Sequence, residues 1–251
     1  MSDHAAETPE IIAHRGYSSR APENTLGAIE AALDAGARSV EFDLQVASCG
    51  TPVLFHDVNL GRTTNGVGPV RRRTFGQLQA LDAGKWFSAD FEGEKLPSLA
   101  QALDCVRGRV DRIYPEVKGY RELEDLDRMA RIVIDGDMLH KTTFIGMDWT
   151  TLDRIGRQDD AIFVGYIVTE PEQLPEALER CRARPGSIID FDHRLVLDNP
   201  GLAERARSQG TDVAVWTVNT PEEASALRAA GVTRFTTNEV EVLMDWSRSS
   251  A

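Results

Sequence analysis

Ile11-Ile12-Ala13-His14-Arg15-Gly16 sets a short apolar run, suited to a buried strand, directly before an imidazole, a guanidinium and a residue free to turn. The same arrangement recurs along the chain. Pro52-Val53-Leu54-Phe55 ends on His56-Asp57, Asp111 to Val117 carries Glu116 just before Lys118, and Ser39 to Asp43 closes on Glu41-Phe42-Asp43. Carboxylates two residues apart point to the same side of an extended segment. Strand-like runs begin near residues 11, 39, 111, 142, 161, 187, 213 and 233, and helical spacing of apolar residues follows each in turn. Eight β/α units close a parallel TIM (β/α)8 barrel, whose chemistry sits at the carboxyl ends of its strands. A doubly wound open sheet with fewer strands is the alternative; candidate site residues that fall at strand ends favour the barrel.

The intervening spacing predicts helices from Leu26 to Leu33, capped by Asn24 or Thr25, from Leu99 to Val106, and from Arg121 to about Leu139 across Gly136. Further helices are expected at Thr150–Ile155, Pro171–Arg182, Asn199–Ser208, Pro221–Ala230 and Val240–Trp246, with Ser247 to Ala251 a frayed tail. Residues 57–96 break the alternation. They hold the turn signals Asn65-Gly66 and Gly68-Pro69, the basic run Arg71-Arg72-Arg73 and the aromatics Trp86, Phe87 and Phe91. That stretch is too short for a domain, so a small insertion or lid within a single barrel domain spanning 1–251 is expected.

A chain of 251 residues that is 41% hydrophobic and 27% charged has the composition of a globular domain. Its formal charge of -12 argues against wrapping nucleic acid or lying on an anionic membrane. Cys49, Cys105 and Cys181 are too scattered for a disulfide framework or a zinc knuckle; they read as buried small hydrophobes, Cys49 excepted because it sits in a polar turn. No apolar run is long enough to span a bilayer and the first residues lack a signal-peptide pattern, so a cytoplasmic protein without stable membrane insertion is expected.

The chemistry-bearing residues point to metal-assisted phosphoester chemistry. His14 and His56 could divide proton removal and proton donation near pH 7. Glu41, Asp43 and Glu116 offer oxygen ligands suited to a hard divalent cation, Mg2+ or Ca2+ with Mn2+ as a further option, which would neutralise charge on a non-bridging phosphate oxygen. Arg15 offers a forked donor set for phosphate, and Lys118 shares a strand side with Glu116. Trp216 either fills the barrel or walls the pocket. His193 is an isolated candidate, and His4 and His140 are peripheral. The phosphate-binding glycine loops and the nucleophile-elbow serine are missing. A carboxylate glycosidase using Glu41 and Glu116 would leave both histidines, Arg15 and Lys118 without a shared purpose.

The chain resembles the glycerophosphodiester phosphodiesterases of the short bacterial cytoplasmic type. The matching pieces are His14-Arg15-Gly16, Pro22-Glu23-Asn24-Thr25, Glu41-Phe42-Asp43, Pro52 to Asp57 with Leu60 and Arg62-Thr63-Thr64, Leu96 to Leu99, Glu116-Val117-Lys118, and Val215 to Asn219. The resemblance implies a TIM barrel with an insertion after the second histidine's strand, and hydrolysis of glycerophosphodiesters to glycerol 3-phosphate and an alcohol. It also implies His14 and His56 as acid/base pair, Glu41, Asp43 and Glu116 as metal ligands, and Arg15 and Lys118 as phosphate clamp. Which histidine is the base, and whether a neighbouring hydroxyl or water attacks, stay open, as does the oligomeric state. Two positions depart from the family pattern: Ala47-Ser48-Cys49-Gly50 replaces a turn that usually carries an Asp, and Thr237-Asn238-Glu239 replaces Thr-Asp followed by a proline. These bear on metal and alcohol preference. A lysophospholipase D or cyclising phospholipase acting on single-chain lipids, and a non-catalytic barrel that binds phosphoryl ligands, are the rival readings.

Overall fold

The computed structural model describes residues 8–249. Its nine strands are β1 (Glu10–Ala13), β2 (Ser39–Val46), β3 (Pro52–Leu54), β4 (Arg112–Val117), β5 (Thr143–Gly146), β6 (Phe163–Val168), β7 (Ile188–Asp192), β8 (Asp212–Trp216) and β9 (Arg234–Thr237). The order β1-β9-β8-β7-β6-β5-β4-β2, with β1 pairing back onto β2, closes the expected barrel of eight parallel strands. β3 is the extra strand. It pairs antiparallel with β2, Leu54 opposite Leu44, so the chain doubles back at the carboxyl end of β2 and brings His56 to the same mouth as Glu41 and Asp43.

Side chains alternate between two apolar layers, as the period of a strand demands. Val164, Tyr166, Val168, Ile189 and Phe191 face the surrounding helices. Ile12, Tyr114, Ile145, Ile167, Ile188 and Ala214 fill the barrel, with Trp216 packed against them. At the amino end, Glu10 accepts hydrogen bonds from Tyr114 and Ser39 and pairs with Arg234 at 3.1 Å, which closes that end with a polar plug.

Residues 57–96 form 3-10 turns at Leu60–Arg62, Val70–Arg72 and Ala89–Phe91 and one short helix, Phe75–Gln79. Leu60, Val70, Leu78, Ala83 and Leu96 make a small core with Ala47, Val53 and Phe55, so this segment packs over the β2–β3 hairpin. Two helix ends and one additional helix stand out against expectation. The helix expected to reach Leu139 is Leu123–Asp135, because Gly136 caps it and Asp137 takes a left-handed φ of 56°. A further helix, His193–Asp198, starts where Asp192 accepts the Arg194 N–H, and the last helix runs to Ser249. His4 and the final two residues lie outside the described residues. Among the described residues no helix is long and apolar enough to cross a membrane.

The barrel interior is filled closely around Gly165, which sits between Ile145 and Ile188 in register. A Cβ there would lie 2.8 Å from both isoleucine side chains. Gly165→Ala should therefore overpack the interior and destabilise the fold by about 1–3 kcal/mol. Urea unfolding checks this, and an unchanged midpoint would show that the interior has room to spare.

Candidate active site

The turn after β1 decides how the first two site residues face. Arg15 and Gly16 have consecutive left-handed φ values of 56° and 79°, and a Cβ on Gly16 would lie 2.5 Å from the Ala28 carbonyl carbon. Glycine is therefore required there to let the chain pass the helix that begins at Leu26. The reversal aims the Arg15 backbone N–H at Glu41 Oε2 (2.8 Å) and brings its guanidinium 3.0 Å from Asp43 Oδ2 and 2.8 Å from Glu23 Oε1. His14 Nδ1 lies 2.7 Å from Asn238 Oδ1, and its Nε2 lies 3.9 Å from Glu41 Oε2. The Asn238 oxygen also accepts from the Ser18 hydroxyl, so it serves as an acceptor and Nδ1 carries the imidazole proton. Burial, followed by the adjacent Arg15 charge, lowers the His14 pKa to about 4.

The acids come from neighbouring strands: Asp43 on β2 is level with Glu116 on β4. Glu41, Asp43 and Glu116 place one oxygen each within 4.8 Å of the others. Glu41 and Asp43 are buried, and Glu41 Oε1 and Asp43 Oδ1 have no hydrogen-bond partner. Burial, then repulsion from Asp43 and Glu116, drives the Glu41 pKa well above the carboxylate range; burial also raises Glu116, against the opposing pull of Lys118. Lys118 Nζ lies 2.7 Å from Glu116 and 3.5 Å from Asp43. Asn24 clamps Asp43 from the far side, donating to Oδ2 (2.7 Å) and accepting its backbone N–H (3.0 Å). Thr25 is thus the residue that caps the following helix. Unpartnered carboxylate oxygens in an all-oxygen donor set fit a hard divalent cation.

His56 follows β3, with its Nδ1 2.6 Å from Asp57 Oδ1. The Arg62 hydrogen bond, assisted by His56, lowers the Asp57 pKa to about 2. Arg62 also binds Glu23 through two nitrogens, and Glu23 binds Arg15, so the segment after β3 is tied to the β1 turn by alternating charges.

A pocket of about 200 Å3 at the carboxyl end of the barrel is lined by His14, Arg15, Glu41, His56, Glu116, Lys118 and Trp216, with Ile145, Ile167 and Asp190 among its walls. Asp43 is fully buried within the adjoining acid cluster. The structure thus brings all eight residues picked from the sequence to one place. Trp216 both packs on the interior cluster and lines the pocket. His193 turns instead to the Trp216 carbonyl (3.0 Å), His140 lies in an exposed turn, and Arg71, Arg72 and Arg73 are exposed. A larger surface hollow of about 390 Å3, lined by Leu26 and Phe91, contains none of these groups.

The family model of the glycerophosphoryl diester phosphodiesterases matches residues 14–242. The chain belongs to that family, and so to the phosphodiester hydrolases. It is 26% identical over 246 residues to a glycerophosphodiester phosphodiesterase of Caldanaerobacter subterraneus subsp. tengcongensis, covering 95% of this chain and 97% of that protein. The crystal structure of a glycerophosphodiester phosphodiesterase from Agrobacterium tumefaciens superposes with a TM-score of 0.81 at 25% identity, over 94% of this chain and 99% of the other. An Oleispira antarctica phosphodiesterase, solved in complex with the product sn-glycerol-3-phosphate, shares the fold with a TM-score of 0.87 at 24% identity, over 95% and 96% of the two chains.

Within this family frame the two departures fall in different places. Asn238 stands against His14, so that substitution bears on an imidazole. Cys49 is exposed in the β2–β3 turn and lines no part of the pocket.

The His14 environment has a consequence for stability. Below the ordinary imidazole value of 6.5 the unfolded chain takes up a proton that folded His14 refuses until about pH 4. Stability is therefore lost as the pH falls across that window, by up to about 3 kcal/mol. In metal-free protein, His14→Gln should flatten that part of the stability curve; urea midpoints at pH 6.5 and 4.5 that fall equally in both proteins would contradict it.

Proposed function

We propose that the chain hydrolyses glycerophosphodiesters to glycerol 3-phosphate and an alcohol, using a divalent cation, Mg2+ or Ca2+ with Mn2+ as a further option. It acts as one barrel domain, in the cytoplasm, on small phosphodiesters. The observation that carries this reading is a single pocket in which two imidazoles with contrasting partners face an all-oxygen acid cluster and two cationic side chains.

Glu41, Asp43 and Glu116 would hold the cation, which supplies charge neutralisation at a non-bridging phosphate oxygen. Arg15 and Lys118 engage the remaining phosphate oxygens. His14 carries its one proton on Nδ1 against a neutral amide and is held as the neutral imidazole, so Nε2 is free to accept a proton from the attacking hydroxyl. That hydroxyl is the substrate's own neighbouring group or a water; an intramolecular attack gains from proximity. His56, its ring oriented by the hydrogen bond to the Asp57 carboxylate, protonates the departing alkoxide.

The lysolipid reading needs an apolar channel. Trp86, Phe87 and Phe91 stack edge to face on one another, and none of them lines the pocket, so no observation favours it.

Protein stripped with EDTA should release no glycerol 3-phosphate from glycerophosphocholine, and added Mg2+, Ca2+ or Mn2+ should restore release. Release that persists without metal, or never returns with it, would contradict the reading. His56→Ala should lower turnover by about 100- to 10,000-fold with the fold and metal binding intact. Turnover that survives this change would remove His56 from the reaction.

A further inference from the structure

Asp190 has no part in the chemistry above, yet the fold keeps its carboxyl group at the pocket wall. It occupies an inward position on β7, 3% exposed, directly after Ile188 of the barrel interior on the same face. Its partners in register are Ile167 and Ala214, neither of which carries a polar side-chain atom. Asp190 Oδ1 has no hydrogen-bond partner. The Arg234 guanidinium, whose field reaches Asp190, is bonded to Glu10 and Asp212. Trp216, two residues beyond Ala214 on the adjacent strand, repeats the pattern with the opposite polarity. Its indole Nε1 is buried without a partner, and the side chain lines the same pocket.

A carboxyl oxygen buried between apolar register partners without a hydrogen bond is costly, and an interior that needed only filling would be better served by an aliphatic residue. One buried acceptor and one buried donor on one wall call for a ligand group that both donates and accepts. A hydroxyl does both. An ammonium group only donates and would leave the indole N–H unmet, while a quaternary ammonium or an alkyl chain would satisfy neither. We propose that Asp190 and Trp216 form a hydroxyl-binding subsite, which seats the polyol end of the substrate and makes the pocket select glycerol-type phosphates over plain alkyl phosphates. This rests on the diesterase reading in one respect: the phosphate is taken to be anchored beside Arg15 and Lys118.

Calorimetric titration in Mg2+ with sn-glycerol 3-phosphate and with methyl phosphate tests the subsite without requiring turnover. The wild type should bind glycerol 3-phosphate at least about tenfold more tightly, the worth of one buried hydrogen bond to a polar group. Asp190→Leu should abolish that preference, leave methyl phosphate binding within about threefold, and raise Tm by a few degrees because the buried oxygen without a hydrogen bond is gone. Asp190→Asn, which keeps an acceptor oxygen in nearly the same shape, should retain most of the preference. Trp216→Phe, which removes only the indole donor from an aromatic wall, should lose part of it, and tests the subsite independently of how Asp190→Leu folds. No preference in the wild type, a preference that survives Asp190→Leu, or an equal loss of both ligands would each overturn the proposal. Glycerophosphocholine turnover by the wild type is scored separately: none, with the preference intact, would retire the diesterase reading and leave the subsite standing.

Discussion

Three carboxylates gathered within 4.8 Å of one another, two of them withdrawn from water, impose the constraint that the rest of the mouth answers. Like charges in a low-dielectric setting repel strongly, and burial alone disfavours each ionised form. The protein surrounds them with compensation drawn from separate segments: the Arg15 backbone N–H and guanidinium, the Lys118 ammonium, and the Asn24 amide. Even so, an oxygen of Glu41 and one of Asp43 are left without a hydrogen bond. A cluster retained at such cost is built to receive positive charge, and a cation is the simplest group that relieves it.

The compensation also reaches the two imidazoles. Arg15 bonds Glu23, Glu23 bonds Arg62, Arg62 bonds Asp57, and Asp57 bonds His56. A segment that packs over the β2–β3 hairpin thus helps orient one imidazole, while Asn238 on the last β/α connection orients the other. The two histidines receive different partners, a carboxylate and an amide, and that difference is what the proposed division of their roles rests on. The chain's overall charge of -12 says little about this mouth, where Arg15 and Lys118 are drawn in among the three acids.

The barrel, and the residues that gather at the candidate site, were legible because both depend on local pattern. Strand periodicity and the recurrence of β/α units give the closure, and polar residues at strand ends mark the mouth. What escaped depends on contacts between distant segments. Nothing near Asn238 announces that its amide meets His14, 224 residues away, and a loop Asn24 gives no sign that it clamps Asp43. Asp190 is hidden for another reason: a lone acid between apolar neighbours looks like a strand irregularity until the pocket is seen. The missed helix at His193–Asp198 has the same origin, since a polar cluster at a strand end reads equally as site or as helix cap.

The central claim is that the acid cluster is a cation site, and linkage between binding and unfolding tests it most directly. Thermal unfolding of the wild type and of Glu41→Gln should be compared in EDTA and across a series of Mg2+ and Ca2+ concentrations. The account predicts a wild-type Tm that climbs with cation concentration, and a Glu41→Gln protein that is the more stable of the two in EDTA and indifferent to added cation. A wild-type Tm unmoved by either cation, or a variant that still responds like the wild type, would contradict it.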